Sequence, residues 1–540
     1  METRFPTWLT MLTVLVVAVV FRVYGMNWDN GIGAHPDERY IIGVAESLSW
    51  PRQWNPFRCA PDYAYGHVPL YLLAVTRGLA QDMDSLILGR ALAVLFDVGT
   101  IAVTFALGRR LYHERIGLLA AAFIALSVSH VQQAHFYTAD GLLALVTLGT
   151  LLSTVRLVQS GQAGEAWFAG AWAGLALGTK ASAGLLVLPL VAACALVPAK
   201  RRDCLWRIGV SAFAVFALTN PFALVEFPVL LRNLGRQAAI LRGALDVPYT
   251  RQYRATLPYV YPIVQQCRWG TGWISGIAAF GGLAYAVGRA VRNRPRPGEW
   301  IILAWVLPSF ALAGALHAKF PRYLLPLTPL VAVYAALLVV DLSRPRRFLL
   351  CISCLFLLGS MLLRCLILIG MYSGTHPWLS VSEWFHGNVK PGTVVATEEW
   401  DHPLPLEATD YDIRELPVFN EETPEKWETI EHALAEAEYV VIASRRAYAT
   451  LANMPERYPR TAQYYKRLFE GDLGLEPVAC FSRFPHLGPF VLADDPTVGL
   501  GFDLPELCSP EGHWVLRTGQ LDESFVVYDH PQVLVFKSAD

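Results

Sequence analysis

With 54% hydrophobic and only 16% charged residues, a chain of 540 residues is too apolar for an ordinary soluble enzyme. The formal net charge is −1, so no basic excess points to nucleic acid, and none is expected as a partner. The composition instead indicates a polytopic membrane protein that carries one soluble domain, with membrane lipids as its surroundings.

Apolar segments recur from the N-terminus to about residue 371 and predict about 11 transmembrane helices. No small-x-small cleavage site follows residues 5–26, so we expect a retained anchor rather than a removed signal peptide. Several segments are near or below the roughly 20 residues that a straight spanning helix needs. The spans are predicted at residues 7–25, 88–108, 116–134, 140–157, 166–180, 182–198, 207–223, 269–289, 299–317, 322–341 and 347–371.

The basic residues orient this chain in the membrane. If the N-terminus is cytoplasmic, short basic loops such as 109–115 and 200–207 also fall in the cytoplasm, as the positive-inside rule requires. The long loop 27–87 then lies outside, in a multi-pass protein of the plasma (inner) membrane. The apolar segment 68–80 is short and would reverse this order if it spanned the bilayer. We therefore interpret it as an interfacial or re-entrant helix.

The tail over residues 376–540 loses the long apolar segments and alternates short strands with a helix. Together with a transmembrane domain over residues 1–372, it predicts a second, extracytoplasmic α/β domain. Cys480 and Cys508 could form a disulfide if the tail faces an oxidising compartment, which the sequence leaves open. The predicted elements are strands at 393–396 and 439–443, a helix at 424–437, and a hairpin of strands at 524–528 and 533–536.

Two acidic motifs fall on the outer side in this topology. The motif HPDERY at residues 35–40 carries Asp37 and Glu38, and the motif HFYTAD at residues 135–140 ends in Asp140. Adjacent carboxylates at a membrane boundary are costly, which favours a functional role, although Asp37 and Glu38 could also simply begin a solvated loop. Asp140 could cap the apolar helix that follows it.

Three cations lie on the same side as these acids. Lys180 interrupts a long apolar stretch, where an unpaired charge would be expensive. Lys319 and Arg322 could be interfacial anchors that reach the headgroups. A carboxylate base can take the proton of an acceptor hydroxyl, and Lys or Arg can hold the charge of a leaving phosphate. The set suits group transfer from a lipid phosphate at the membrane surface.

In their order and sidedness, these motifs resemble those of the type C (GT-C) glycosyltransferases. The resemblance is to the family that includes protein O-mannosyltransferases and the lipid A aminoarabinose transferase, and it covers about residues 1–345. HPDERY and HFYTAD resemble its two acidic motifs. Residues 178–189 resemble its G-x-x-x-T-K-x…L-x-L-P segment, and residues 319–326 resemble its R-Y-L-L-P segment.

This resemblance implies a glycosyltransferase that uses a polyprenyl-phosphate-linked sugar, acts on the extracytoplasmic face and inverts the configuration at the sugar C1. The acceptor would be a glycan, a lipid or a protein. A protein is in doubt because loop 224–268 is too short for the β-trefoil insert of the eukaryotic enzymes. The implied roles are catalytic base for Asp37, orientation of the acceptor or a divalent metal for Glu38 and Asp140, and lipid-phosphate binding for Lys180, Arg322 and Lys319.

Two other classes of function remain open at this stage. A polytopic transporter of lipid or solute would more often show related halves, and the sequence has no such symmetry. A non-catalytic assembly protein of the cell envelope would not need intact acidic motifs. The sequence identifies no cofactor with certainty, and a divalent metal stays possible.

Overall fold

The structure, a computed structural model, describes residues 6–292, 296–343, 347–510, 512 and 514–539. The chain divides into two compact units. The membrane unit comprises Met1–Met26, His35–Asp246 and Tyr253–Cys365, and the tail unit comprises Asn27–Ala34, Val247–Gln252 and Leu366–Asp540.

The membrane unit is helical because its apolar segments satisfy their backbone hydrogen bonds internally, as a bilayer requires. Its helices, of which the last continues into the tail unit, are α1 (Thr7–Val23), α2 (Pro36–Ser47), α3 (Pro56–Cys59), α4 (His67–Leu79), α5 (Ser85–Leu111), α6 (Glu114–Ala125), α7 (Val128–Gln133), α8 (Ala139–Ser160), α9 (Gly164–Leu177), α10 (Val187–Leu196), α11 (Arg201–Thr219), α12 (Pro221–Val225), α13 (Phe227–Leu241), α14 (Val260–Gln265), α15 (Trp273–Arg292), α16 (Pro297–Ala315), α17 (Thr328–Leu342) and α18 (Arg347–Met371).

Five of the described helices, namely α5, α8, α15, α16 and α18, are long and apolar enough to cross a membrane. Shorter apolar helices occupy Thr7–Val23, Ala181–Leu196 and Thr328–Leu342. A helix lies over each of the eleven predicted spans, but the number of bilayer crossings stays a prediction. The segment at 68–80 is also helical, and the 13 residues of α4 are too few for a straight span.

The centre of the membrane unit is formed by α5, α6, α8 and α17, which pack on one another. A buried polar network centred on Asp97 of α5 connects α1, α7 and the start of α17. Arg22 Nε lies 2.5 Å from Asp97 Oδ2, and His130 Nδ1 lies 2.5 Å from Asp97 Oδ1. The other ring nitrogen of His130 lies 2.5 Å from Thr328 Oγ1, at the start of α17. The network therefore fixes α7 and the start of α17, next to the segments that carry Asp140 and Arg322.

The tail unit is an α/β fold, as the sequence predicts. Its five-stranded sheet has the order β2-β1-β3-β8-β4, with β1 parallel to β2 and β3, and β8 antiparallel to β3 and β4. A separate sheet has the order β5-β6-β7. The elements are α19 (Pro377–Asn388), β1 (Val394–Glu398), β2 (Asp412–Leu416), α20 (Pro424–Glu436), β3 (Tyr439–Ile442), α21 (Arg446–Leu451), α22 (Pro459–Glu470), β4 (Leu475–Phe481), β5 (His486–Leu487), β6 (Phe490–Ala493), β7 (Trp514–Arg517) and β8 (Val533–Ser538).

The predicted strands in β1 and β3 and the predicted helix α20 are confirmed, but the predicted hairpin is wrong. Its first half begins in a short 3-10 helix, Glu523–Phe525, because the Asp522 carboxylate accepts hydrogen bonds from both the backbone N–H and the hydroxyl of Ser524. Its second half is β8, which pairs with β3 and β4 instead. Cys480 and Cys508, left open by the sequence, form a disulfide.

Candidate active site

Asp37 and Glu38 both lie in the first turn of α2, which His35 and Pro36 begin. The Nδ1 atom of His35 accepts a hydrogen bond from the Asp37 backbone N–H, and Pro36 is preset for the first helical position. A carboxylate here is stabilised by the positive end of the helix dipole. Local sequence therefore fixes Asp37 at a helix N-terminus that favours its charged form.

Asp140 occupies the equivalent position in α8. The N-cap of that helix is Thr138, so the interpretation of Asp140 as the cap is wrong. Its carboxylate instead pairs with Lys180, whose Nζ lies 2.7 Å from Asp140 Oδ1. The positive charge of Lys180, in the apolar stretch after α9, is thus compensated by the carboxylate of Asp140.

Close backbone contact brings the segment around Lys180 against the outer loop. The N–H groups of Gly66 and Val68 donate to the carbonyl oxygens of Thr179 and Gly178. A Cβ on Gly66 would lie 1.9 Å from Gly178 O, so glycine is required there. This contact places the preceding residue, Tyr65, over the Lys180 ammonium, 5.8 Å from the ring centroid.

Arg322, in the 3-10 turn Pro321–Leu324, joins the two acidic motifs. Its Nη2 atom lies 3.0 Å from Asp37 Oδ2, and its Nε atom lies 3.7 Å from Asp140 Oδ2. Lys180 and Arg322 therefore share a four-charge cluster with Asp37 and Asp140, built from residues that lie almost 300 positions apart. We call these four residues the charge cluster.

Asp37 is the accessible acid of the two motifs. Its side chain is 23% exposed, against 3% for Asp140 and 0% for Glu38. Burial would raise the pKa of Asp37, but the charges of Arg322, His35 and Lys180 and a hydrogen bond from Tyr65 together hold it below its ordinary value. Asp37 is thus ionised at neutral pH and can accept a proton from a bound molecule.

The Glu38 side chain has different partners from those of Asp37. Its carboxylate forms a two-point ion pair with Arg90 of α5, at 3.1 Å and 2.9 Å, and accepts the Tyr137 backbone N–H at 2.7 Å. Both Glu38 and Arg90 are fully buried. Since Tyr137 lies in the second acidic motif, Glu38 links the two motifs through this buried hydrogen bond.

Lys319 also lies apart from the charge cluster. Its ammonium donates to Thr256 Oγ1 and to the His317 carbonyl oxygen, both at 3.1 Å. Within the part of the chain that the structure describes, it pairs with no carboxylate. Burial lowers the pKa of Lys319 from its ordinary value.

Two residues of the site were missed by the sequence analysis. Tyr65 hydrogen-bonds Asp37 and covers Lys180, but an outer-loop tyrosine has no signal in the sequence that distinguishes it. Arg90 had a signal, because a charge inside the apolar segment of α5 is costly unless it is paired.

The donor set of the charge cluster does not fit a divalent cation well. Asp37 and Asp140 each already pair with a cation, and Lys180 and Arg322 would repel a metal placed between them. Among the residues described, no group of three or more His, Cys, Asp or Glu side chains could hold a metal ion. The charge cluster therefore has the character of an ion-pair network rather than of a divalent-metal site.

Comparison with known proteins gives one family match and several similar solved structures. A family model described as dolichyl-phosphate-mannose-protein mannosyltransferase matches residues 67–224, which include Asp140 and Lys180 but neither Asp37 nor Arg322. Among curated proteins, no sequence relative matches this chain.

Solved structures resemble the chain over most of its length. The Archaeoglobus fulgidus oligosaccharyltransferase in complex with Zn and sulfate superposes with a TM-score of 0.56 at 15% identity, covering 87% of this chain and 72% of that one. The oligosaccharyltransferase AglB of the same organism, in complex with an inhibitory peptide and a dolichol-phosphate, has a TM-score of 0.56 at 14% identity, covering 93% and 75%. ArnT from Cupriavidus metallidurans, bound to undecaprenyl phosphate, has a TM-score of 0.52 at 15% identity, covering 83% and 94%.

The chain therefore has the fold of the type C membrane glycosyltransferases. The resemblance drawn from its motifs, to the family of the protein mannosyltransferases and ArnT, is confirmed by the family match and by these structures. The family match over residues 67–224 supports glycosyl transfer, and the long apolar helices support a multi-pass membrane protein. At this identity the structural likeness establishes the fold alone, so the donor, the acceptor and the residue roles are proposals.

Proposed function

We propose that this protein transfers a sugar from a polyprenyl-phosphate-linked donor to an acceptor hydroxyl, with inversion at the sugar C1. The observation that carries the proposal is the charge cluster, in which one accessible carboxylate lies beside two cations. This combination supplies a base for the acceptor and positive charge for a leaving phosphate. The undecaprenyl phosphate bound to ArnT and the dolichol-phosphate bound to AglB support a lipid-linked donor.

In the proposed reaction the acceptor oxygen attacks C1 as the bond from C1 to the phosphate oxygen breaks. The bonding electron pair leaves with the lipid phosphate, and the acceptor proton passes to Asp37. Lys180 and Arg322 hold the charge that develops on the phosphate. A single displacement from the face opposite the phosphate inverts C1.

Glu38, Asp140 and Lys319 take supporting roles in this proposal. Asp140 holds Lys180 and Arg322 in place through its two oxygens, and Glu38 links the two acidic motifs by accepting the Tyr137 backbone N–H. Lys319 binds the phosphate only after it leaves its present hydrogen bonds, so it is the weakest of the candidate ligands.

We place the charge cluster and the tail unit on the extracytoplasmic face of the inner membrane. The Cys480–Cys508 disulfide supports this side, because disulfides persist in oxidising compartments and are rare in the cytosol. An impermeant maleimide added to intact cells should label Cys480 only after reduction. Labelling that requires permeabilised cells would contradict the placement.

The transfer itself is tested with the purified protein in nanodiscs and a set of undecaprenyl-phosphate-linked hexoses and pentoses. The wild type should release undecaprenyl phosphate from at least one donor, and Asp37→Asn should release it far more slowly. Asp62→Asn is the matched control, because Asp62 lies in the same outer loop and accepts a hydrogen bond from Tyr40 outside the charge cluster. Failure of the wild type both to turn over any donor and to bind undecaprenyl phosphate would contradict the proposal. Mass spectrometry of glycans and glycolipids from a deletion strain would identify the sugar and the acceptor.

A further inference from the structure

The small sheet of the tail unit carries a continuous row of apolar side chains on one face. Leu487 of β5 lies opposite Phe490 of β6, and Phe490 lies beside Trp514 of β7. Paired residues in adjacent strands point to the same face, so these three side chains form one row. Leu516 lies two positions beyond Trp514 and extends the row on that face. We call these four residues the apolar face.

The apolar face is open rather than packed in a core. Phe490, Trp514 and Leu516 are 52%, 65% and 61% exposed, and Leu487 is 38% exposed. The rings of Phe490 and Trp514 stack with their centroids 6.2 Å apart, so they form one surface. An exposed apolar edge strand such as β7 is a liability in water unless something covers it.

The apolar face belongs to a sheet that is attached to the end of a membrane-spanning helix. The last turn of α18, a candidate span over Phe348–Met371, approaches the backbone of β5. A Cβ on Gly370 would lie 2.0 Å from the carbonyl oxygen of His486, so the two backbones are in direct contact. Just beyond the helix, Arg483 Nη2 donates to Ser373 Oγ at 3.0 Å.

We propose that the apolar face lies in the interfacial layer of the bilayer, with phospholipid as its partner. β7 is two strand spacings from β5, about 10 Å, and β5 contacts the last turn of a span. The headgroup layer beyond the hydrocarbon core is roughly 5–8 Å thick, so β5, which contacts the end of the span and carries Leu487, is the part of the sheet nearest to this layer. Trp and other aromatic side chains are enriched at this depth, where an apolar ring and a polar edge are both satisfied.

The position of the face favours lipid over a protein partner. The last turn of α18 contacts β5, so a spanning α18 brings phospholipid next to this sheet without any further partner. Arg483 supplies a cation beside the end of the helix, as expected at the level of phosphate headgroups. The proposal does not depend on the transferase activity or on which side of the membrane the tail occupies.

The test is photocrosslinking of the full-length protein in nanodiscs of phosphatidylcholine and phosphatidylglycerol. The photoreactive residue p-benzoylphenylalanine replaces Trp514 in one protein and Leu516 in a second, and mass spectrometry counts phospholipid adducts. Leu355, 72% exposed on α18, is the positive control position. Trp400, 47% exposed in the tail unit but outside the small sheet, is the matched negative control. Exposed positions tolerate such replacement with little loss of stability, and size-exclusion chromatography checks the fold.

We expect several-fold more phospholipid adduct at positions 514 and 516 than at 400, approaching the yield at 355. Adducts at 514 and 516 no more frequent than at 400, while 355 reacts, would overturn the proposal. Crosslinks from 514 or 516 to a second copy of the chain would also overturn it, because the face would then be a protein interface. If one of the two replacements fails to fold, the other decides the outcome alone.

Discussion

Replacing Lys180 by methionine tests whether the Lys180–Asp140 pair stabilises the protein. The change removes an ammonium 2.7 Å from Asp140 Oδ1 but keeps a long unbranched side chain. At an effective dielectric constant of about 20, the attraction at that distance is roughly 6 kcal/mol, and the loss of water by both groups offsets much of it. Asp140 is 3% exposed and cannot regain water, but Arg322 remains 3.7 Å away. We therefore expect Lys180→Met to lower the free energy of unfolding by about 3 kcal/mol, the lower end for a broken buried pair.

A double-mutant cycle separates this pair from general effects of the substitution. The free energy of unfolding in mixed detergent micelles is measured for the wild type, Lys180→Met, Asp140→Asn and the double variant. The double variant should recover about 1–3 kcal/mol relative to the sum of the single changes, because no charge is left unpaired. Lys319→Met is the matched control, since Lys319 is also buried but pairs with no carboxylate among the residues described, and it should add to Asp140→Asn without coupling.

Binding of undecaprenyl phosphate provides the second measurement on the same variants. A charge-assisted hydrogen bond contributes about 1.5–3 kcal/mol, so Lys180→Met should raise the Kd at least about tenfold if Lys180 holds the phosphate. Unchanged lipid affinity would rule out the phosphate role. A free energy of unfolding within about 0.5 kcal/mol of the wild type, together with additive single changes, would refute the reasoning about the pair.

Three further predictions follow from the same structure. Asp37→Asn should lower the rate of donor turnover by about 10²–10⁴ because it removes the proposed base with little change in shape; a wild-type rate would exclude Asp37 as the base. Arg90→Met should cost roughly 3–5 kcal/mol in thermal unfolding because it leaves Glu38 buried and unpaired, and adding Glu38→Gln should restore much of the loss; an equally unstable double variant would contradict this. Burial raises the pKa of Glu398, which accepts a hydrogen bond from Tyr465, to about 8. Because the unfolded value is about 4.3, wild-type stability should fall between about pH 4 and pH 8, and Glu398→Gln should remove this dependence; identical pH profiles would exclude Glu398 as the titrating group.

The long apolar helices, the tail helix α20 and the strands β1, β3 and β8 could be predicted because hydropathy and strand periodicity are local properties of the chain. The predicted strand at 524–528 shows the limit of that argument. These residues are buried, as the apolar run indicates, but a side-chain cap turns the backbone away from a sheet. An apolar run thus predicts burial more securely than it predicts backbone conformation.

The sequence could predict which residues lie on the same side of the membrane, but it could not predict which of their side chains contact one another. Motif order and sidedness suggested that six residues share a surface, namely Asp37, Glu38, Asp140, Lys180, Lys319 and Arg322. The structure brings four of them together and leaves out Glu38 and Lys319. Sidedness could not separate Asp37 from Glu38. Successive helical residues point about 100° apart, so Asp37 faces the charge cluster while its neighbour faces the interior.

The position of Arg322 between two acids has a consequence for how the reaction would be timed. Before transfer, the Arg322 guanidinium pairs with the Asp37 carboxylate at 3.0 Å. This carboxylate partly neutralises the positive charge that would otherwise attract a phosphate. In the proposed reaction Asp37 becomes neutral when it takes the acceptor proton, at the same moment that the departing lipid phosphate gains negative charge. The guanidinium then loses one anionic partner just as a stronger one forms beside it. Deprotonation of the acceptor and stabilisation of the leaving phosphate would thus be coupled through Arg322, which exchanges one anionic partner for the other.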